Sequence, residues 1–385
     1  MKLWPASNSF LALLLSLSVL SAAEPTLTLK SPIAQSVLQR QSVNTGRVEV
    51  IGEVHGMDQA YVSPIVEIRV DGGAWQRLIL SAVERNRTDT TFTGAVELAK
   101  GMHTLEVRAV RDGQPLASAP SVKFGIGEVI VVTGQSNSAN HGAVKTKATS
   151  DQVFTLTPKG TWQSCADPQP GASGGGGSIL PALGDELQKR LGVPIGFISC
   201  GIGATSIREW LPTGVPFPNP PTIVSRVRKT ADGPWEADGK AYAMLVARMR
   251  SVPSFRAVLW HQGESDANQK DQTRTLSGKL YAEYLTKLIA GANKDSQRNS
   301  PWFVAQVSYH GPTDVGSEDI RSAQAGLWKD KVALEGPDSD ALRGPLRDNG
   351  GNGVHFSGEG LKAHAHAWAE KLVPWNRSPT VIRPI

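Results

Sequence analysis

The chain has 385 residues with 40 basic and 35 acidic side chains, a formal net charge of +5, and 40% apolar residues. That length predicts one or two domains, and the apolar content excludes a disordered or collagen-like chain. The basic residues are scattered without the stripe a nucleic-acid binder needs, so the pI of about 9.1 names no partner and no nucleic acid is expected.

The first segment reads as an address. Lys2 supplies a positive start, the stretch 10–20 is apolar, and Ser21-Ala22-Ala23 offers small residues before Glu24. The apolar run is shorter than the ~20 residues that span a bilayer, so residues 1–23 predict a cleaved signal peptide and an exported mature chain without a membrane anchor. Export permits a disulfide between the two cysteines, Cys165 and Cys200, and two unpaired buried thiols are the alternative. Two cysteines alone make no structural zinc site, and there is no HExxH or CxxC spacing. No metal or cofactor is expected.

Residues 24–125 read as short strands. RVEVIG at 47–52, IVEIRV at 65–70 and TLEVRAV at 104–110 alternate apolar with polar at period two, and Asp71-Gly72-Gly73 and Asp112-Gly113 supply turns. No helical pattern interrupts them, which predicts an antiparallel β-sandwich serving as an accessory domain.

At Glu128 the pattern changes. EVIVVT at 128–133, VPIGFIS at 193–199, FRAVLW at 255–260 and WFVAQV at 302–307 are near-continuous apolar runs, as expected of strands buried on both faces of a parallel sheet. Helical stretches at 179–191, 242–249, 276–290 and 361–372 alternate with them. Residues 126–385 therefore predict a three-layer α/β domain. The glycine run 174–177 lacks the strand before it and the GKS/T ending of a phosphate loop, and reads as a flexible surface loop.

Ligands of open α/β sheets sit beyond the carboxyl ends of the strands. Three polar clusters fall there. Gly134-Gln135-Ser136-Asn137 puts a serine on a turn, where a following helix N-terminus would favour negative charge. Gly201-Ile202-Gly203-Ala204-Thr205-Ser206 brings glycines that let backbone approach a reacting carbonyl, or simply form a tight turn. His261-Gln262-Gly263-Glu264-Ser265-Asp266 packs polar groups behind a buried strand. A nucleophilic serine needs a base. His261, His310 and His355 are candidates from loops, whereas His364 and His366 read as surface or packing residues of the last helix. Spacing alone does not choose among them.

GQSN at 134–137, GATSIREW at 203–210, WHQGESDA at 260–267 and GVHFSGEGL at 353–361 occur in the order found in SGNH-type carbohydrate acetylesterases. The chain resembles their sialate O-acetylesterase-like and acetylxylan esterase-like branches over about 126–373, with SVLQRQ at 36–41 matching the sandwich that some members carry. The resemblance implies a flavodoxin-like SGNH hydrolase fold with Ser136 as nucleophile and His355 as general base. It also implies an oxyanion hole from the N–H groups of Ser136 and Gly203 with the Gln262 side chain, and an acetyl-enzyme intermediate without a cofactor. Asn137 and Trp210 are candidates to meet the sugar; Trp210, Trp162 and Trp235 could stack on sugar faces, and packing is the better reading for any one of them. The implied partner is an acetylated oligosaccharide or polysaccharide.

The chain departs from the family at one position. Asn352 stands where the family carries an aspartate three residues before the histidine, and an amide cannot stabilise an imidazolium as a carboxylate does. Asp348 folding back through the glycine-rich loop is the favoured replacement. Glu264 or Asp266 could orient the ring instead, or a weaker Ser–His pair could operate. The leading reading is an exported carbohydrate O-acetylesterase. Its rivals are an esterase for lipid, aryl or small acyl esters, and a weak or inactive carbohydrate-binding protein.

Overall fold

The computed structural model describes residues 24–56, 65–86 and 89–376. The expected signal peptide, 1–23, lies outside them. The chain is a mixed α/β structure with several sheets.

Nine strands come before residue 122 among the described residues: β1 (Thr26–Ser31), β2 (Val37–Gln39), β3 (Thr45–His55), β4 (Ile65–Val70), β5 (Gln76–Arg77), β6 (Leu80–Arg85), β7 (Asp89–Ala99), β8 (Gly101–Arg111) and β9 (Gln114–Ser118). Strands β1-β3-β7-β6 form a four-stranded antiparallel sheet. Strand β3 alternates buried and exposed residues along its length, so one face enters the core and the other meets water. Val48, Val50 and Phe92 of this sheet share a cluster with Ile68, Leu105 and Val107 of β4 and β8. Two layers of strands therefore bury one set of apolar side chains.

The thirteen-residue strand β10 (Val122–Gly134) belongs to both halves of the molecule. Its first part pairs antiparallel with β8 and parallel with β2, and Phe124 and Ile126 enter the N-terminal core. Its second part is a central strand of a parallel sheet. The expected boundary at 125/126 thus falls inside one continuous strand. Downstream lie β11 (Val153–Leu156), β12 (Trp162–Ser164), α1 (Leu180–Leu191), β13 (Ile195–Ser199), the hairpin of β14 (Val227–Lys229) and β15 (Trp235–Ala237), α2 (Lys240–Arg250), β16 (Ala257–His261), α3 (Gly278–Ser296), β17 (Trp302–Gln306), α4 (Glu318–Lys329), β18 (Leu334–Asp338), the turn α5 (Asp348–Gly351) and α6 (Gly358–Asn376). The order across the sheet is β12-β11-β13-β10-β16-β17-β18, parallel from β11 to β18.

Alternate residues of β10 point to opposite sides, as the pleat requires. Val129 and Val131 pack with Leu245, Leu285 and Leu288 of α2 and α3, while Ile130 and Val132 pack with Leu183, Leu187 and Trp368 of α1 and α6. Cys165 and Cys200 are free and buried in these two separate clusters.

Glu128, fully buried on β10, holds the halves together. Arg40 Nε lies 2.5 Å and Arg256 Nε 2.6 Å from its two carboxylate oxygens, and Gln39 Nε2 adds a bond of 2.9 Å. Arg40 also donates to the carbonyl of Asn376 at the end of α6. SVLQRQ is thus the segment that docks the N-terminal strands onto the parallel sheet.

Several elements had no expected counterpart, and for α4 and β18 the reason is physical. In α4 the buried positions are Ile320, Gln324 and Leu327, so a polar residue stands in the middle of the inward stripe. The sequence of β18, LEGPD, carries a glycine and a proline that an edge strand tolerates.

Truncating one member of a buried ion cluster leaves its partners uncompensated. Glu128→Ala should destabilise the fold by about 3–5 kcal/mol, read from the chemical unfolding midpoint.

Candidate active site

Strands β13, β10 and β16 lie side by side, and their carboxyl ends carry the three polar clusters. Gly134 ends β10 at φ +126°, and a Cβ there would lie 2.1 Å from the His261 carbonyl oxygen. Only glycine lets the chain turn so close to its neighbour. Gln135 N–H donates to the His261 carbonyl at 2.8 Å, and Ile202 N–H donates to that of Gly134 at 2.9 Å. Ser136 lines a cleft of about 640 Å³ together with His355, His141, Ser173, Gly203 and Glu264. The helix expected after it is a three-residue 3₁₀ turn, Ser136–Ser138, too short to carry a macrodipole.

His355 comes from a hairpin closed by the Arg347–Phe356 bridge. Asn349, Gly350 and Gly351 all take positive φ, at 50°, 67° and 94°, which folds the loop back on itself. Asp348 N–H then donates to the His355 carbonyl at 2.9 Å, and Asp348 Oδ2 lies 3.6 Å from His355 Nδ1. Gly353 makes room for this: a Cβ on it would stand 1.6 Å from Asp348 Oδ1. Arg347 pins the hairpin from beneath, donating to the carbonyls of Leu342, Val354 and Ser339. Asn352 is exposed on the loop, with its amide donating to the Asn349 carbonyl, so it does not orient the imidazole.

The carboxylates of the 261–266 cluster have other tasks. Glu264 Oε1 accepts from Asn137 Nδ2 at 3.0 Å and lies 3.2 Å from His261 Nε2. Burial pushes its carboxyl up, but the charge and hydrogen bond of His261 prevail and hold it at about 2. Asn137 bridges on to the Val354 carbonyl at 3.2 Å, next to His355. Asn137 is therefore a strut between two loops with its amide committed, not a group turned to a sugar. Asp266 is wholly buried and takes bonds from Ser206 Oγ, Ile207 N–H, Arg208 and Gln262. It braces the 205–208 segment and has no lone pair left for His355.

The other expected residues are enclosed or already hydrogen-bonded in the structure. Gln262 is fully buried, and its Nε2 already donates to Asp266 Oδ2, the Thr205 carbonyl and Gln135 Oε1. Three acceptors leave it no hydrogen for an oxyanion. The Gly203 N–H is likewise engaged, donating to Ser173 Oγ at 2.6 Å. Trp210 is fully buried with its ring edge-on to Trp260 and its N–H on Thr205 Oγ1, so it offers no face to a sugar. Trp162 is buried too, and Trp235 packs beside the same core. The run 174–177 is no free loop: Gly174 bridges Asn140 and Gly177 bridges Gly142, so it is stitched to the chain beyond Ser136. His364 is fully buried among Phe356, His261 and Trp368, a packing residue.

Sequence reasoning passed over His141, whose ring stacks on His355 with centroids 5.4 Å apart and planes at 29°. Nothing in its local sequence singles it out. Arg226, another cleft residue, pairs at 3.1 Å with buried Glu209. Burial drives the Glu209 carboxyl up to about 7 against the Ser206 N–H and the Arg226 charge. Among the described residues, two groups with metal-ligand character, Glu53/His55/Asp89 and Glu186/His366/Glu370, share no residue with the cleft, and Arg190 sits on both glutamates of the second.

No curated protein matches this sequence. Among solved structures, a carbohydrate acetylesterase from Xanthomonas citri is 16% identical at a TM-score of 0.50, covering 91% of this chain and 75% of that one. A protein from Arabidopsis thaliana is 20% identical at a TM-score of 0.47, covering 65% and 98%. At such identity the first speaks to the fold alone. The family model described as carbohydrate esterase, sialic acid-specific acetylesterase matches residues 127–373, which include Ser136, Asp348 and His355 and make up well over half of the chain. The chain therefore belongs to the sialic acid-specific acetylesterase family of carbohydrate esterases and is a carboxylic ester hydrolase.

Proposed function

We propose that the protein is an exported serine esterase that removes O-acetyl groups from a carbohydrate through an acetyl-enzyme. Ser136 is the nucleophile, His355 the general base and Asp348 the acid that orients and stabilises the imidazolium. The observation that carries the reading is the approach of Asp348 Oδ2 to His355 Nδ1, 3.6 Å, in the cleft that Ser136 lines. That approach supplies a carboxylate in place of the amide of Asn352, which weighs against a decayed site. In this reading Ser136 Oγ attacks the acetyl carbonyl as His355 takes its proton. The sugar hydroxyl leaves with that proton, and water then repeats the cycle on the acetyl group.

The cleft also argues about substrate. Of the residues that line it, only Ala204 and Val354 are apolar and no aromatic ring other than histidine is present, which suits a small acetyl group on a hydroxyl-rich alcohol better than a lipid or aryl ester. We further propose that residues 24–125 are a β-sandwich accessory domain and that 126–385 are a three-layer SGNH domain. Among the described residues no helix is long and apolar enough to cross a membrane.

Acetate release from acetylated xylo-oligosaccharides and from an acetylated sialic acid tests the reading, and the better substrate names the branch. Ser136→Ala should abolish release, a loss of at least about 10⁴-fold in kcat. Asp348→Asn should lower kcat by about 10²–10⁴-fold, and Gly353→Ala should move in the same direction by displacing that carboxylate, whereas Asn352→Ala should stay near wild type. Wild-type kcat in Asp348→Asn would remove Asp348 from the triad.

Stability should depend on pH through Glu209. Its folded pKa of about 7 lies above the ordinary 4.5, so its contribution is full below about 4.5 and is lost as pH rises through 7. Glu209→Gln should therefore gain on wild type by up to about 3 kcal/mol between pH 4 and pH 8, measured by denaturant unfolding at both values.

A further inference from the structure

Three polar groups around the cleft have no part in the Ser–His–Asp arrangement, and they form one chain. Gly203 N–H donates to Ser173 Oγ at 2.6 Å, and that oxygen lies 3.2 Å from His141 Nε2. While accepting from Gly203, Ser173 Oγ keeps its own hydrogen free to donate, and with His141 in the tautomer that leaves Nε2 unprotonated that hydrogen spans the gap to His141. The surroundings favour that neutral ring: burial, then the charge of His355 stacked on it, lower the basicity of His141. Ser173 is held on both sides, its N–H donating to the Gly201 carbonyl and its carbonyl accepting from Asn140 N–H, each at 2.9 Å. The Ser173 backbone is thus fixed in the wall, and its hydroxyl proton is free to rotate.

An oxyanion that used the Gly203 N–H directly would have to occupy the place that Ser173 Oγ already fills. The Gln262 amide is spent elsewhere as well. We infer that Ser173 is itself a catalytic hydrogen-bond donor to the acyl oxygen, an inference that rests on the reading of Ser136 as nucleophile. As Ser136 Oγ bonds to the carbonyl carbon, the π pair moves onto the carbonyl oxygen and the Ser136 proton passes to His355. The Ser173 O–H then turns from His141 Nε2 to that oxygen and keeps its proton throughout. Gly203 N–H remains on Ser173 Oγ and polarises the hydroxyl, so the oxyanion meets the end of a two-bond chain. His141 is a positioning residue that holds the proton ready.

The test measures kcat and KM for acetate release in wild type, Ser173→Ala, Ser173→Thr and Ser136→Ala, with thermal unfolding of each. Loss of one oxyanion donor costs about 10²–10³-fold in kcat. Ser173→Ala should show that loss with KM little changed and an unaltered melting temperature, and Ser173→Thr, which restores a hydroxyl, should recover most of it. An unchanged or raised kcat in Ser173→Ala would mean that the hydroxyl merely masks the Gly203 N–H, and would overturn the inference. A threonine variant no better than the alanine one would overturn it too. Retention of activity by Ser136→Ala would instead sink the nucleophile assignment, so the two failures are told apart.

Discussion

Everything in this molecule is arranged along one strand. β10 begins as part of the N-terminal sheet, burying Phe124 and Ile126 there, and ends as a central strand of the parallel sheet, burying Val129 to Val132 alternately on its two faces. A strand shared in this way cannot shift register in one half without moving every side chain in the other. Glu128, at the point where the two regimes meet, adds an electrostatic constraint: a buried carboxylate there is tolerable only with Arg40 and Arg256 in place. Since Ser136 follows the last residue of this strand by two positions, the same constraint fixes where the nucleophile candidate stands.

The polar groups behind the cleft show how a buried carboxylate can be made rigid without being made reactive. Asp266 and Glu264 are almost completely buried, yet each has its charge answered, by Arg208 and Ser206 in one case and His261 and Asn137 in the other. Such a network specifies one geometry because any displacement would leave a charge unpaired in a medium of low dielectric constant. It fixes the turns after β10, β13 and β16 relative to each other. The hairpin of His355 is different. It is built from left-handed residues and glycines, and its histidine and aspartate remain partly open to solvent. The buried wall and the more open hairpin face each other through Asn137, which bonds to both Glu264 and the Val354 carbonyl.

The hairpin also shows how backbone can bring a carboxylate from elsewhere in the sequence to an imidazole. Asp348 precedes His355 by seven residues instead of three, and its carboxylate arrives beside the imidazole only because residues 349–351 reverse the chain and Gly353 leaves space for it. Where a carboxylate stands in space matters to an imidazole, and where it stands in sequence does not.

Much was legible beforehand. Period-two alternation located β3, β4 and β8, apolar runs located β10, β13, β16 and β17, and glycine-containing clusters after three of those runs marked the edge where the cleft lies. These are consequences of local burial, which a sequence records directly. The four ordered motifs were enough to indicate the family, and they nominated Ser136 and His355, which the structure places in one cleft. What only the tertiary structure decided is which polar atoms are already spent. No spacing reveals that Gln262 donates to Asp266, that Ser173 covers the Gly203 N–H, that His141 lies on His355, or that Trp210 is enclosed. The Ser173–Gly203 and His141–His355 contacts join segments at least 30 residues apart, and even the local Gln262–Asp266 bond is set by Ser206, which holds Asp266 from 60 residues away. A hydrogen bond consumes a donor once, and the partner that consumes it is chosen by the fold.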